Sequence, residues 1–412
     1  MKSFFRNIIY IFFIFVPFLF LNNVCFADDF IEEIENNDLV ETATETSIEP
    51  NILSSNAISI DRKTETILYE KDAYKKVPMA STTKIMTCLV ALENSNLQDI
   101  VTVSEKASSI HGSTLANHKN DKIPMIDLLY GLMLRSGNDC AIAIAEHISG
   151  SVEEFSKLMN KKAKELNLKN TNFVTPHGLD DDNHYTTAYE LAILTNHALK
   201  NDTFKNIVSS KTYSMTLNNY SKILNNTNEL LGNVNGVYGV KTGFTFNAGR
   251  CLVSCCKRGD LDIIVVVLGA NTKKIRTSDS RQLIEYVFKE YSYVNTYPII
   301  ENNFKKYKKI FENQIILEKT LDIPDINISS TQNYEFPFRK KDIQNLSTKI
   351  YTITKFSSNI TKGEKVGILT LYNKDTPIYS IDIILSNTLT PNSLKYYYTY
   401  ILKNYFKSIF FS

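Results

Sequence analysis

Cysteine and histidine are scarce in this chain: each occurs six times among 412 residues. Apart from Cys25, which falls in an apolar N-terminal stretch, an odd number of cysteines remains at irregular spacing, and this argues against a disulfide framework. No histidine lies at a ligand spacing near them, so the sequence predicts neither a metal site nor a cofactor. We expect Cys88 and Cys140 to be small buried side chains. Cys251 and Cys255 share one face of a predicted strand, and Cys256 points to the other.

The chain also lacks an excess of charge of either sign. The net charge is +2 at pH 7, and removal of the first 27 residues, which include Lys2 and Arg6 but no acids, brings it close to zero. This balance gives no indication of a nucleic-acid partner, and we expect none. A hydrophobic content of 43% provides ample material for a core.

The N-terminus has the features of an export signal. Lys2 and Arg6 precede an apolar run from Ile8 to Leu21, which is too short for a comfortable membrane span. The pattern then ends at Ala27 with small residues at the right spacing for cleavage. We therefore expect a signal peptide over residues 1–27, with an uncleaved N-terminal anchor as the alternative. The residues before Cys25 do not match a lipidation site.

Residues 28–50 form an acidic segment with nine Asp or Glu and no Lys or Arg. Because such a segment lacks the apolar content to pack, we expect a disordered linker here. The residues that follow, 51–412, are too many for one ordinary domain, so we expect two domains.

Residues 51–295 are predicted to form the first domain, in which strands flank a block of helices. Alternating apolar residues predict a hairpin over 56–70 and strands over 239–242, 249–256 and 261–269. Helical periodicity predicts helices over 81–93, 125–134, 139–148, 152–166, 189–199 and 278–291. Asp139 is expected to cap the third of these helices. Strands from both ends must join one antiparallel sheet with helices packed against it, which is an α+β or α/β two-layer fold.

The remainder of the chain changes in character after Tyr297. Lysine-rich alternation predicts a small all-β domain over residues 296–388, with strands over 349–356, 365–372 and 377–385. The tail, residues 391–412, is rich in Tyr and Phe and contains three lysines but no acid. This pattern predicts an amphipathic helix that lies on an anionic membrane surface. A helix docked on the preceding domain is the alternative.

Three short motifs occur in order: Ser81-Thr-Thr-Lys84, Ser136-Gly-Asn138 and Lys241-Thr-Gly243. Each is weak alone, but the set, with the first at a helix start, the second between helices and the third on a strand, indicates a serine acyl-transfer site. Ser81 is the expected nucleophile and Lys84, one helical turn on, the expected base. Burial and the charge of Lys241 are expected to lower the pKa of Lys84.

The other motif residues complete this predicted site. Ser136 can relay a proton to the leaving amine, and Asn138 can hold both Lys84 and a substrate carbonyl. Lys241, Thr242 and Gly243 lie on an edge-like strand, where Gly243 permits close approach and the N–H of Phe244 can complete an oxyanion hole. Which of the two lysines is the resting base stays open at this point.

The stretches 78–87, 127–139 and 239–245 around these motifs resemble the low-molecular-mass penicillin-binding proteins that act as serine-type D-Ala-D-Ala carboxypeptidases. The resemblance covers roughly Asn56 to Tyr291 and continues more weakly through the β domain. It implies the penicillin-binding fold, and an amphipathic C-terminal membrane anchor is also usual in that family. It further implies that His177 supports the site and that Arg276 lies near the terminal carboxylate of the substrate. The remaining histidines are expected to be surface or packing residues.

The resemblance implies a reaction and its partners. Ser81 would attack the bond between the two terminal D-alanines of a peptidoglycan stem peptide at the outer face of the bacterial cytoplasmic membrane, and β-lactams would acylate the same serine. Gly137 within the second motif favours a carboxypeptidase over a class A β-lactamase. Cys140 replaces a usual alanine and is expected to fit. A β-lactamase or transpeptidase on the same scaffold, or a catalytically silent cell-wall-binding protein, are the alternatives.

Overall fold

The computed structural model describes residues 30–35, 49–217, 220–312, 314–318, 320–329, 334–357 and 360–410. The predicted signal peptide lies outside these residues, as does most of the acidic segment. The chain divides into two compact units. The first unit comprises residues 49–295 and 335–343, and the second comprises residues 30–35 with the described parts of 296–334 and 344–410.

The strands, numbered along the chain, are β1 (Phe30–Glu35), β2 (Asn56–Asp61), β3 (Ile67–Lys71), β4 (Ile100–Thr102), β5 (Lys122–Pro124), β6 (Thr212–Leu217), β7 (Tyr220–Asn225), β8 (Val237–Thr245), β9 (Gly249–Arg258), β10 (Leu261–Ala270), β11 (Tyr291–Asn295), β12 (Ile316–Glu318), β13 (Ile326–Ile328), β14 (Glu335–Arg339), β15 (Leu346–Thr352), β16 (Lys355–Ser357), β17 (Lys365–Asn373) and β18 (Thr376–Leu385).

The α-helices are α1 (Lys84–Asn94), α2 (Glu105–Ser108), α3 (Met125–Leu134), α4 (Asn138–Ser149), α5 (Val152–Glu165), α6 (Ala188–Ala198), α7 (Asp202–Ser209), α8 (Lys273–Glu290), α9 (Tyr297–Phe311) and α10 (Leu394–Phe410). Two 3₁₀ helices, Ala80–Thr83 and Lys340–Asn345, complete the helical elements. The first helix was predicted to start at Ser81. In the structure, Ser81 lies on the 3₁₀ turn that precedes α1.

A five-stranded antiparallel sheet in the order β3-β2-β10-β9-β8 organises the first unit. The prediction that strands from both ends of this domain join one sheet is therefore confirmed. β10, a continuous apolar strand, lies at the centre and is buried on both faces. One face packs against the helical block from α1 to α7, and the other packs against α8. β8 is an edge strand, so one side of its backbone is not paired within the sheet.

The cysteines lie as the sequence predicted. The five described cysteines are free and buried. Cys251 and Cys255 belong to the core on the helical-block face of the sheet, whereas Cys256 belongs to the core beneath α8. This alternation follows from the period of two along β9.

The second unit contains a sheet in the order β1-β15-β17-β18-β13. The prediction of an all-β domain is wrong in one respect, because α9 contributes buried side chains to the core of this unit. These side chains, Ile300, Phe304, Tyr307 and Phe311, recur at helical spacing between lysines. The lysines give this stretch the appearance of an exposed strand region, so the helix was not predicted.

The acidic segment predicted as a disordered linker contains a strand. β1 pairs antiparallel with β15, and Glu33 lies opposite Lys349 in this register. Phe30, Ile31 and Ile34 give the segment enough apolar and β-branched character to add a strand, which the count of acids concealed.

The C-terminal tail forms the predicted helix. Among the described side chains of α10, Tyr397 is half-buried and the others are exposed, so α10 does not bury an apolar face against the second unit. None of the described helices is long and apolar enough to cross a membrane.

Candidate active site

Ser81 lies on the short 3₁₀ turn Ala80–Thr83, directly before α1. The backbone enters this turn through Ala80, whose φ of 47° is in the left-handed region. The carbonyl oxygen of Ala80 faces Gly178, where a Cβ atom would lie only 2.0 Å from that oxygen. Glycine is therefore required at position 178, and the loop that carries it packs directly against the Ser81 turn.

The amine of Lys84 is fully buried, and its three partners come from separate parts of the chain. Nζ lies 3.0 Å from Ser81 Oγ, 2.8 Å from Asn138 Oδ1 and 2.7 Å from the carbonyl oxygen of His177. Burial, with the charge of Lys241 nearby, holds the pKa of Lys84 well below its usual value.

These contacts suit the neutral form of the amine. A neutral amine has two N–H groups and one lone pair. The two carbonyl oxygens, on Asn138 and His177, can accept the two N–H groups. The lone pair is then left for the hydroxyl hydrogen of Ser81, which is the arrangement that a general base needs.

The second motif lies where α3 ends and α4 begins. Ser136, with a φ of 62°, is nearly buried in the connection, and Asn138 is the first residue of α4. Asn138 accepts a hydrogen bond from Lys84 and donates its side-chain amide to the carbonyl oxygen of His111 at 2.9 Å. Its backbone N–H donates to the carbonyl oxygen of Ser113 at 2.7 Å. Asn138 thus connects Lys84 to the loop that contains residues 111–113.

Asp139 does not cap α4, contrary to the sequence prediction. The N-cap is Gly137, and the buried carboxylate of Asp139 accepts hydrogen bonds from the backbone N–H groups of Leu115, at 2.9 Å, and Asn117, at 3.2 Å. The carboxylate therefore fixes the same loop that Asn138 contacts. An acidic residue in the first turn of a helix can either cap the helix or hold a neighbouring loop, so the sequence pattern alone could not distinguish these two roles of Asp139.

Cys140 is accommodated by two glycines, as expected of a small side chain. A Cβ atom at Gly131 or Gly137 would lie 2.9 or 2.8 Å from its sulfur. The thiol is fully buried, and burial raises the pKa of Cys140 well above its usual value. Cys140 therefore fills space beside the second motif as an unreactive thiol.

The third motif lies on the edge strand β8, beside the Ser81 turn. A Cβ atom at Gly243 would lie 3.1 Å from the backbone nitrogen of Ser81. Glycine thus lets the strand approach this nitrogen closely. Lys241 is fully buried, and burial together with the charge of Arg276 lowers its pKa to about 7. Phe244 follows on the open edge and is 41% exposed.

Arg276, near the start of α8, is buried close to Lys241. Its guanidinium lies 3.3 Å from Glu229, while its Nε has no hydrogen-bond partner among the residues that the structure describes. Burial lowers the pKa of Arg276 from its usual value. In the same segment as Glu229, the hydroxyl of Thr227 lies 2.8 Å from that of Thr242. Residues 227–229 therefore join the third motif to α8.

Two histidines contact residues of the predicted site, and only one of them, His177, was expected near it. His177 holds Lys84 through its backbone carbonyl, and its ring accepts from the N–H of Leu179. His184, expected to be an ordinary surface or packing residue, is buried and lies 2.7 Å from Thr83 Oγ1. Burial lowers the pKa of His177 to about 3 and that of His184 to about 4. Both rings are therefore neutral at pH 7.

Sequence reasoning also missed several residues that orient the predicted ones. These are His111, Ser113, Asp139, Thr227 and Glu229. Most act through the backbone or from loops without a recognisable pattern, so no short motif indicates them. Among the described residues, no group of His, Cys, Asp and Glu side chains could hold a metal ion.

The comparison with known families decides the identity. Residues 42–272 match the D-alanyl-D-alanine carboxypeptidase family. The chain belongs to this family. The resemblance noted from the three motifs is therefore confirmed, and the protein is a serine-type D-Ala-D-Ala carboxypeptidase, a hydrolase.

Individual relatives agree with the family. The chain is 35% identical over 326 residues to the D-alanyl-D-alanine carboxypeptidase DacF of Bacillus subtilis (strain 168). The matched region covers 77% of this chain and 81% of the relative. The crystal structure of DacD from Francisella tularensis superposes with a TM-score of 0.69 at 25% identity and covers 85% of this chain and 98% of that one. The DD-transpeptidase of Streptomyces K15 gives a TM-score of 0.57 at 33% identity, over 59% and 99% of the two chains. The expected penicillin-binding fold is thus confirmed.

The depressed pKa of Lys241 predicts a pH-dependent cost to stability. The folded pKa is about 7 and the ordinary value is 10.5. Below pH 7, Lys241 is protonated in both the folded and the unfolded state, and burial of its charge lowers the stability of the folded state by the full amount. This loss of stability is relieved as pH rises from 7 to 10.5, because the folded state releases the proton first. Lys241→Met should therefore be more stable than the wild type at pH 6, by on the order of a few kcal/mol, and this advantage should shrink toward pH 10.

Urea unfolding of both proteins across this pH range measures the effect. Lys75→Met, at an exposed position, is the control and should change stability by less than about 0.5 kcal/mol at each pH. An advantage of Lys241→Met that does not vary with pH would contradict the prediction.

Proposed function

We propose that Ser81 is the nucleophile that removes the terminal D-alanine from peptidoglycan stem peptides, with Lys84 as its base. The observation that carries this proposal is the fully buried Lys84 amine at 3.0 Å from Ser81 Oγ. The depressed pKa of Lys84 favours the neutral form needed to accept the hydroxyl proton. We assign the resting base to Lys84 rather than Lys241, because the Lys84 amine lies 3.0 Å from Ser81 Oγ, whereas the Lys241 amine donates to the carbonyl oxygen of Thr242 at 3.0 Å.

In the acylation step, Ser81 Oγ forms a bond to the carbonyl carbon of the penultimate D-alanine while its proton moves to Lys84. The developing oxyanion is stabilised by the backbone N–H of Ser81 and by that of Phe244 on β8. The carbon–nitrogen bond then breaks, and the leaving amine takes the proton through Ser136. Water attacks the ester in the second half of the reaction, which releases the shortened peptide and restores the Ser81 hydroxyl.

The terminal carboxylate of the substrate is assigned to Arg276, Lys241 and Thr242. A planar guanidinium pairs with a carboxylate through two N–H groups, and part of this capacity is unused because Arg276 Nε lacks a partner among the described residues. The Glu229 carboxylate offsets some of the positive charge before substrate arrives. β-Lactams, which carry a carboxylate beside a reactive carbonyl, are expected to enter the same site as inhibitors.

The proposed location of the protein rests on sequence features near the two ends of the chain. The N-terminal pattern of residues 1–27 supports export, and α10 supports attachment to the outer face of the cytoplasmic membrane. The exposed side chains of α10 include Tyr398, Ile401, Tyr405 and Phe406, with three lysines and no acid along the helix. A helix of this composition lies in the interface, with rings among the headgroups and lysines on anionic lipid.

Acylation of Ser81 is the first test of the proposed reaction. Incubation with a labelled penicillin, followed by peptide mass spectrometry, should place the label on Ser81. Ser81→Ala should abolish both the label and the release of D-alanine from a D-Ala-D-Ala peptide, and the control Ser109→Ala, at an exposed serine, should retain both. A label found on another peptide would refute the assignment, and a cross-linked product in place of free D-alanine would indicate a transpeptidase.

The carboxylate assignment is tested by Arg276→Gln. Loss of a charged pairing should lower kcat/KM for a D-Ala-D-Ala peptide by roughly 10- to 100-fold. Removal of the guanidinium charge should also raise the pKa of Lys241. Steady-state kinetics as a function of pH report both effects. Arg281→Gln, an exposed arginine on the same helix, is the matched control, and equal behaviour of the two variants would contradict the assignment.

Membrane attachment is tested by a chain that ends before Ser393. The full mature protein should sediment with vesicles that contain anionic lipid, and high salt should weaken this binding because it screens the lysines. The shortened protein should stay in the supernatant while it retains penicillin binding. Co-sedimentation of the shortened protein would show that α10 is not the attachment site.

A further inference from the structure

The Ser81 nitrogen and the Ala80 carbonyl oxygen belong to the same trans peptide unit. In such a unit the N–H and the C=O point in opposite directions, so a contact that fixes one of them also fixes the other. The nitrogen lies beside Gly243 of β8, the strand that carries the Phe244 N–H. Because the left-handed φ of Ala80 is unfavourable for a residue with a Cβ atom, the orientation of this unit must be held by its neighbours.

Two neighbours contact the Ala80 carbonyl oxygen. The hydroxyl of Thr83 donates a hydrogen bond to it at 2.7 Å, and the Cα of Gly178 packs so closely that a Cβ atom there would lie 2.0 Å away. Thr83 is fully buried, so water cannot take the place of its hydroxyl. The direction of the Thr83 hydroxyl therefore governs the direction of the Ala80–Ser81 peptide.

The ring of His184 determines where the Thr83 hydroxyl points. His184 Nδ1 accepts a hydrogen bond from the N–H of Val174 at 2.9 Å, and Nε2 lies 2.7 Å from Thr83 Oγ1. Burial lowers the pKa of His184 to about 4, so the ring is neutral at pH 7 and has one N–H group, which must be on Nε2. Nε2 thus donates to Thr83 Oγ1, and the hydroxyl hydrogen is left for the Ala80 oxygen.

We propose that His184 and Thr83 are positioning residues that direct the Ser81 N–H toward the oxyanion formed during acylation. This inference rests on the proposed function, since it takes Ser81 as the nucleophile and its N–H as an oxyanion donor. Both side chains act on the substrate through the Ala80–Ser81 peptide. The substrate oxygen becomes fully negative only in the tetrahedral state, so a correctly directed donor stabilises that state more than the bound peptide.

The first test removes the Thr83 hydroxyl at nearly constant shape. Thr83→Val should lower kcat/KM for an acetylated D-Ala-D-Ala peptide by roughly 10- to 100-fold, part of the loss expected when an oxyanion donor is removed, and should leave KM little changed. The Ki of the matching peptide boronic acid, which forms a tetrahedral adduct with Ser81, should rise by a similar factor. Thr83→Ser keeps the hydroxyl and should retain most of the activity.

The control for this test is Thr195→Val. Thr195 is also a fully buried threonine, and its hydroxyl also donates to a backbone carbonyl, that of Leu191, at 2.7 Å. Because Thr195 lies on α6, outside the hydrogen-bond chain from Val174 to Ala80, its replacement should change neither kcat/KM nor the boronic acid Ki.

The second test distinguishes the two nitrogens of His184. His184→Gln places an amide N–H near the position of Nε2 and should retain most of the activity. His184→Asn provides an acceptor near Nδ1 but cannot reach Thr83, so it should resemble Thr83→Val. The double variant that combines His184→Asn with Thr83→Val should be little worse than either single variant, because both interrupt the same hydrogen-bond chain.

The outcomes separate positioning from stability and from the reaction itself. Rates are expressed per site titrated with labelled penicillin, and thermal unfolding is measured for each variant, so loss of folded protein is not mistaken for loss of rate. Equal losses in Thr83→Ser and Thr83→Val, equal losses in His184→Gln and His184→Asn, or a fall in kcat/KM without a matching rise in the boronic acid Ki would overturn the inference. A wild type that neither releases D-alanine nor binds the boronic acid would instead refute the proposed function.

Discussion

The buried amine of Lys84 is the constraint on which the rest of the site depends. Removing an amine from water is costly unless its hydrogen bonds are replaced. Here the replacements come from the second motif, through Asn138, and from the loop at His177, so the three segments must be brought together for the amine to be buried at all. The same burial depresses the pKa of Lys84, so the packing that assembles the site also favours the neutral amine that the proposed reaction requires.

An unpaired strand edge is the second requirement. β8 ends the sheet, and Gly243 lets this strand approach the backbone of the Ser81 turn closely. Exposed edges invite pairing with other chains, and proteins normally protect them. Here the Ser81 turn lies along one side, and the loop that bears Asp180 is joined to Thr245 near the end of the strand. In the proposed reaction, this edge is the place where an extended peptide substrate would lie.

Several elements of the first unit could be predicted from the sequence because each has a strong local signal. Helix α3 follows from its apolar period, and β10 follows from an unbroken apolar run. Long-range contacts gave no such signal: the hydrogen bonds from Leu115 and Asn117 to Asp139, and the pairing of Glu229 with Arg276, join residues far apart in the chain. Helix α9 was missed for a different reason, since its lysines gave the stretch the appearance of an exposed strand.

The positive charges of Lys241 and Arg276, beside β8, are only partly compensated by acidic side chains. Lys241 and Arg276 are both buried, and the charge of Arg276 disfavours the charged form of Lys241. Glu229 pairs with Arg276 and also with Lys273. A full complement of acids would stabilise the empty site but would also exclude an anionic substrate. Arg276 Nε has no hydrogen-bond partner among the described residues. In the proposed binding mode, the substrate carboxylate would therefore form a charge pair that the protein itself does not provide. In the proposed binding mode, the stability given up by burying Lys241 and Arg276 becomes affinity for the free C-terminus of the substrate, and the depressed pKa of Lys241 is the measurable sign of this exchange.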